Sequence, residues 1–215
     1  MNVPVIVIGG GGHAKVLIST LLLQNRNVLG FVDVKPSLPP ILGVTRLGDD
    51  SVVFLHPSDQ VRLVNGVGSI DSTALRQTVY ETFRKRQYTF DTVIHPSAVI
   101  APDVQIDDGV QIMAGVVVQP GSRLGANAII NTGSRIDHDC LIEAHAHVAP
   151  GVTLSGNVQI GRGAHIGTGA SVIQGVKVGV RSIIGAGAVV IDDVPEGVTV
   201  VGVPAKSVER PIAAR

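Results

Sequence analysis

The chain has 215 residues, 17 basic and 17 acidic side chains, and an apolar fraction of 45% against only 3% aromatic. A neutral chain without a basic face excludes nucleic-acid binding through phosphate neutralisation, and a narrow interior that excludes rings but takes Val, Ile and Ala would produce the scarcity of aromatics. One cysteine, Cys140, excludes an internal disulfide and suits a reducing cytoplasm, and no apolar run approaches the roughly 20 residues of a membrane span.

In chain order, Val3 to Ile8 is a continuous apolar run that predicts a buried strand. It ends in Gly9-Gly10-Gly11-Gly12, and a helical pattern follows from Ala14 to Leu23. Its start carries no basic stretch of the kind that opens a signal peptide. Val28 to Val32 reads as a second strand closed by Asp33, and Pro36, Pro39 and Pro40 mark a turn-rich piece. Val61 to Val67 predicts another strand, and Asp71 to Gln87 an amphipathic helix capped by Asp71 or Ser72. Strand, glycine turn, helix and strand open a βαβ unit, so residues 1–92 are expected to form a small Rossmann-like α/β domain of four or five strands. Backbone N–H groups at the start of the first helix, around Gly11 and Gly12, suit a phosphate. Asp33 is placed to accept hydrogen bonds from a base or ribose, and His13 and Lys15 to neutralise a diphosphate.

From Ile94 the period changes. An aliphatic residue stands at every sixth position through Val190, seventeen times without a miss. The residue four further on is small or β-branched each time, Cys140 among them, which assigns that thiol to packing. A six-residue period predicts a parallel β-helix over 93–215, in which three hexads make one 18-residue coil and residues i and i+18 stack. Gly115, Gly121, Asn127, Gly133, Gly151, Asn157, Gly163, Gly169 and Gly175 supply the left-handed corners such a prism needs.

The hexads Ile160-Gly161-Arg162-Gly163-Ala164-His165 and Ile184-Gly185-Ala186-Gly187-Ala188-Val189 resemble those of the hexapeptide-repeat acyltransferases, as does the closing Gly202-Val203-Pro204-Ala205-Lys206. The glycine cluster with His13-Ala14-Lys15, Gly30-Phe31-Val32-Asp33 and Asn131-Thr132-Gly133-Ser134 narrows the resemblance to bacterial sugar acetyltransferases with an N-terminal nucleotide-sugar-binding domain. That resemblance implies a left-handed β-helix and a cytoplasmic homotrimer with active sites between subunits. It implies acetyl-CoA as cosubstrate, no metal, and the 4-amino group of a nucleotide-linked 4-amino-4,6-dideoxy sugar as acceptor. GDP-perosamine is favoured over a UDP-linked sugar, with lipopolysaccharide O-antigen as a destination. The alternatives are a sialic-acid-type O-acetyltransferase and a γ-carbonic-anhydrase-like zinc enzyme built on stacked histidines.

Chemistry concentrates at Asp137-His138-Asp139. A neutral imidazole oriented by a carboxylate is a natural base at neutral pH. The resemblance assigns His138 as that base with Asp139 behind it, although either Asp137 or Asp139 could be its partner. One coil on lies Gly156, a bare notch whose N–H suits an oxyanion. His147 and His165, also 18 apart, are expected to meet the cofactor, with Gly156, Gly167, Gly185 and Ala186 as further contacts, and Arg181 and Lys206 near its phosphates.

Overall fold

The computed structural model describes residues 3–70 and 72–208. Strands β1 (Val5–Ile8), β2 (Val28–Val32), β3 (Arg46–Gly48) and β4 (Arg62–Asn65) form a parallel sheet in the order β3-β2-β1-β4. Alternation along β1 explains why its sequence is apolar throughout. Val5 and Val7 face helix α1 (Gly12–Leu23) with Leu17, Ile18 and Leu21, whereas Ile6 and Ile8 face helix α2 (Ala74–Lys85) with Tyr80 and Phe83. A strand covered on both faces has no position to give to a polar residue.

The expected elements are present with tighter ends. The first strand begins at Val5, and the fourth stops at Asn65 because Gly66 turns the chain against Ile8 and Ala14, where a Cβ would come within 2.8 Å of either. The second helix starts at Ala74, not near residue 71. Its N-cap, Thr73, makes no capping bond and instead donates to the Gly163 carbonyl (2.9 Å), while Ser72 Oγ accepts from the Ala74 N–H. Asp71 lies outside the described residues. A 3₁₀ turn at Asp50–Leu55, opened by Asp49 accepting from the Ser51 N–H, was not foreseen.

From Val93 the chain winds into a prism. Two-residue strands stack in register at i and i+18: Arg123 on Leu141, Ile129 on His147, Arg135 on Thr153. The sixth-position aliphatics fill its axis, with Ile112, Ile130, Ile142, Val148, Leu154, Ile160 and Ile166 all fully buried. Every sixth residue from Gly109 to Gly187 has a positive φ. The expected glycine and asparagine corners are among them, but so are Asp139 (60°), His145 (64°) and Arg181 (55°), side chains that pay a steric cost in the left-handed region.

The prism has three faces. The face made by Gln111–Ile112, Ile129–Ile130, His147–Val148 and His165–Ile166 carries the α/β part. Val93 and Met113 join the core under α1, and Ala126 packs against the core under α2. Charged residues strengthen this seam: Arg26 pairs with Asp91, and Arg84 with Asp108 at 3.0 Å. An antiparallel pair, Thr199–Val201 with Lys206–Ser207, closes the far end. No helix among the described residues is long and apolar enough to cross a membrane.

Candidate active site

Two edges of the prism matter here. The first lies between the face of Arg135 and the face of Leu141, and it carries His138. His138 Nδ1 is 2.8 Å from Asp139 Oδ2, which settles the choice between the two carboxylates. Asp137 is used differently, since its Oδ1 accepts from the His138 backbone N–H at 2.8 Å. The left-handed backbone at Asp139 is what turns its short carboxylate back onto the ring. The imidazole is half exposed, and the hydrogen bond it donates to Asp139, with the charges of Asp137 and Asp139 behind it, raises its pKa above the ordinary histidine value.

Glycines one coil away on either side make room for this pair. A Cβ on Gly156 would lie 2.5 Å from both His138 Cε1 and Nε2, so the ring rests on bare backbone there. A Cβ on Gly121 would collide with Asp139 Oδ1. The Gly156 N–H and His138 Nε2 have no hydrogen-bond partner among the described residues. The free ring nitrogen and the free amide therefore share one notch, which suits proton removal beside a developing oxyanion.

The second edge lies between the face carrying His147 and the face carrying Arg135, with Ala186 exposed on it. Gly167 and Gly185, expected to make backbone contacts with a cofactor, have their amides already in use. Their N–H groups donate to Ile184 O and Val200 O, both at 2.8 Å, within the coil ladder. A Cβ at Gly167 would also meet the Ala186 nitrogen at 2.6 Å, so close coil stacking requires the glycine. The Ala186 amide has no acceptor among the described residues. Arg181 is held by Glu196 at 2.6 Å, and Lys206 is exposed.

The remaining histidines lie beneath the α/β part. His147 is 5% exposed, with Nδ1 2.6 Å from Ser69 Oγ and Nε2 3.2 Å from Asn131 Nδ2. Both nitrogens of this residue, expected to meet a cofactor, are engaged inside the chain. His165 is 7% exposed and meets the His147 ring edge-on at 5.0 Å, so it too is enclosed within the protomer. His13 Nε2 is 2.7 Å from Gln111 Oε1, and burial lowers its pKa to about 4, so the ring is neutral at pH 7 in the unliganded chain. His145 bonds Asn127 and packs on Tyr80, and burial lowers its pKa to about 4 as well. Among the described residues no group of three or more His, Cys, Asp or Glu side chains is arranged to hold a metal ion.

Arg76 holds this seam together and has no signature in the sequence. It is 1% exposed, its guanidinium donates to the carbonyls of Asn65 (2.8 Å), Val67 (2.9 Å) and Asn127 (3.2 Å), and Nη2 has no acceptor among the described residues. Burial lowers its pKa to about 9. Asn65 and Gln111 complete the network, Asn65 Nδ2 reaching Asn127 Oδ1 at 3.1 Å and Gln111 Nε2 reaching Asn65 O at 2.8 Å.

At the C-terminal end of the parallel sheet, Gly11 caps α1 without a side chain, and the space above Gly11 and Gly12 is open. Asp33 Oδ2 accepts from the Gly10 N–H (2.7 Å) and Oδ1 from the Lys35 N–H (2.8 Å). The carboxylate thus ties the second strand to the glycine turn. Lys15 lines a groove of about 340 Å³ with Val16, Ser19, Thr20, Leu42, His95 and Ala114.

A small parallel α/β domain followed by stacked two-residue strands is the fold of the hexapeptide-repeat acyltransferases, whose helix is left-handed. Residues 4–83 match the PglD N-terminal domain family. The fold is shared with PerB of Caulobacter crescentus, solved with CoA and GDP-perosamine, at 42% identity and a TM-score of 0.90 over 96% of this chain and 97% of that one. It is shared as well with the acetyltransferase domain of PglB from Neisseria gonorrhoeae, solved with acetyl coenzyme A, at 34% identity and a TM-score of 0.89 over 97% and 100%. The chain belongs to this family of hexapeptide-repeat sugar N-acetyltransferases. The acyl-(acyl-carrier-protein)–UDP-N-acetylglucosamine O-acyltransferase of Campylobacter concisus is 31% identical over 121 residues, 56% of this chain but only 38% of that protein.

Proposed function

We propose that the chain transfers acetyl from acetyl-CoA to the 4-amino group of a nucleotide-linked 4-amino-4,6-dideoxy sugar, with GDP-perosamine the favoured acceptor. The amine nitrogen attacks the thioester carbonyl, and its proton passes to His138 Nε2. The Gly156 N–H donates to the tetrahedral oxyanion. The C–S bond then breaks, and the CoA sulfur leaves with the proton returned by the imidazolium. Asp139 fixes the tautomer and supports the charge on the ring. The observation that carries this reading is His138 resting on bare Gly156 with Asp139 on its far nitrogen. The GDP-perosamine complex of the 42%-identical relative supports the choice of acceptor over the UDP-linked sugars.

Residues 1–92 hold the nucleotide, through the open first turn of α1 at Gly11 and Gly12 and through Asp33 and Lys15, and residues 93–215 carry the transfer. His138 and Gly156 lie on one edge and Ala186 on another, a full face apart, so one prism cannot bring both to one ligand. A homotrimer completes the site, His138 of one copy facing the Ala186 edge of the next. The lone buried thiol suits a cytoplasmic setting, and a surface O-antigen is the destination of the product.

The test is turnover of GDP-perosamine and UDP-linked 4-amino sugars with acetyl-CoA, beside calorimetry of GDP, UDP, dTDP and CMP. N-acetylation of GDP-perosamine with micromolar GDP binding is expected. Failure with every amino sugar, or transfer only to a hydroxyl, would sink the reading.

A further inference from the structure

The loop that follows β4 crosses the C-terminal end of the sheet through Gly66, Val67, Gly68 and Ser69. Its Gly66 and Val67 lie against Gly9, and Gly68 lies against His13, so Ser69 sits beside the start of α1. Ser69 is partly exposed, while the histidine behind it is buried. Nothing in the family resemblance gives Ser69 a part.

The hydrogen bonds behind Ser69 have only one consistent direction. Asn131 Oδ1 is 2.8 Å from the Thr132 backbone N–H, which can only donate. This fixes the Asn131 amide, so Nδ2 is the group that meets His147 Nε2 at 3.2 Å. An amide NH₂ can only donate, hence Nε2 accepts and the ring proton sits on Nδ1. Nδ1–H then donates to Ser69 Oγ at 2.6 Å. Burial, and after it the neighbouring His165, His13 and Arg76, hold the His147 pKa far below the ordinary imidazole range, so the ring does not gain a second proton. With its oxygen accepting from the ring, the Ser69 hydroxyl directs its proton away from His147.

We propose that Ser69 is a substrate-binding residue, a fixed hydrogen-bond donor to the diphosphate of the nucleotide sugar, and that His147 and Asn131 are positioning residues that aim its proton. The inference rests on the nucleotide-sugar reading above. A phosphate oxygen presents only acceptors, and a serine whose oxygen already accepts from a ring N–H has its O–H free to donate to one. The open first turn of α1 at Gly11 and Gly12 lies at the same end of the sheet, and its amides seek the same kind of partner.

Two measurements test this. In histidine-¹⁵N-labelled full-length protein, His147, identified by the loss of its signals in His147→Gln, should appear as a neutral ring protonated at Nδ1. Protonation at Nε2, or an imidazolium at pH 7, would overturn the relay without any reference to activity. In calorimetry with GDP as the probe, Ser69→Ala should weaken binding by roughly 10–100-fold, the range of one hydrogen bond to a charged group. Ser69→Thr, which keeps the hydroxyl, should restore most of it, and thermal melts should show all three proteins equally folded. GDP binding within twofold of the parent in Ser69→Ala would overturn the proposal. Absence of binding by the parent protein to any of GDP, UDP, dTDP and CMP would instead defeat the nucleotide-sugar reading, leaving the tautomer to be judged by its spectrum.

Discussion

The same six-residue repeat places histidines on two parts of the prism and gives them opposite chemistry. His138 stands on a free edge, half exposed, with a carboxylate on Nδ1 and its pKa raised. His145 and His147 stand under the α/β part with His13 above them, all with lowered pKa values, burial being the largest cause for each. A solenoid is a neutral framework, and what it leaves uncovered decides which histidine can exchange protons. Covering a face turns its imidazoles into fixed dipoles, whereas an open edge with an acid beside it yields a base.

The strongest way to break this contrast is to remove the exposed base. His138→Asn should lower kcat by about 10²–10⁴-fold, the usual contribution of general base catalysis, while the dissociation constant for CoA stays nearly unchanged. A loss under threefold would take His138 out of the mechanism.

The covered histidines should act on stability instead. His13 and His145 have folded pKa values of about 4 against an ordinary 6.5, so between these limits the unfolded chain binds protons that the folded one does not. Their contribution is complete above pH 6.5 and is lost as the pH falls from about 6.5 to about 4, on the order of 1 kcal/mol per pH unit for each group. Denaturant titrations across that window should show the slope, and His13→Gln should flatten it. A stability flat from pH 7 to 4 would contradict the comparison.

The smallest expected effect separates strain from chemistry at Asp139. Its left-handed backbone suits glycine better, so Asp139→Gly should leave stability unchanged or raise it by up to about 1 kcal/mol, as read by chemical denaturation. The same change removes the Nδ1 partner, so kcat should fall although the fold is no worse. A clear loss of stability would mean that the carboxylate supports the edge as well as the ring.

The prism is legible because its period is short and strict: seventeen aliphatics place the core, and adding 18 to 138 finds Gly156 in the sequence alone. The choice of carboxylate was not legible, since it depends on Asp139 adopting a backbone angle that the sequence leads one to expect of glycine or asparagine. Which face the α/β part covers was not legible either. That choice encloses His147 and His165 and removes them from the surface, and it rests on contacts between residues far apart in the chain, Ser69 with His147, Thr73 with Gly163 and Arg76 with Asn127. Arg76 sits in an otherwise ordinary amphipathic helix, where an arginine reads as solvated, and only the packed seam shows three carbonyls waiting for it.

One consequence of the 18-residue coil concerns how such a chain tolerates insertions and deletions. His138 and Asp139 depend on bare backbone exactly one coil above and one below, at Gly156 and Gly121. A single residue gained or lost between 138 and 156 separates the imidazole from its notch, and one gained or lost between 121 and 138 separates Asp139 from the bare backbone at Gly121. Length variation inside that window is therefore quantised in whole coils, and smaller changes must bulge out at a corner without altering the count.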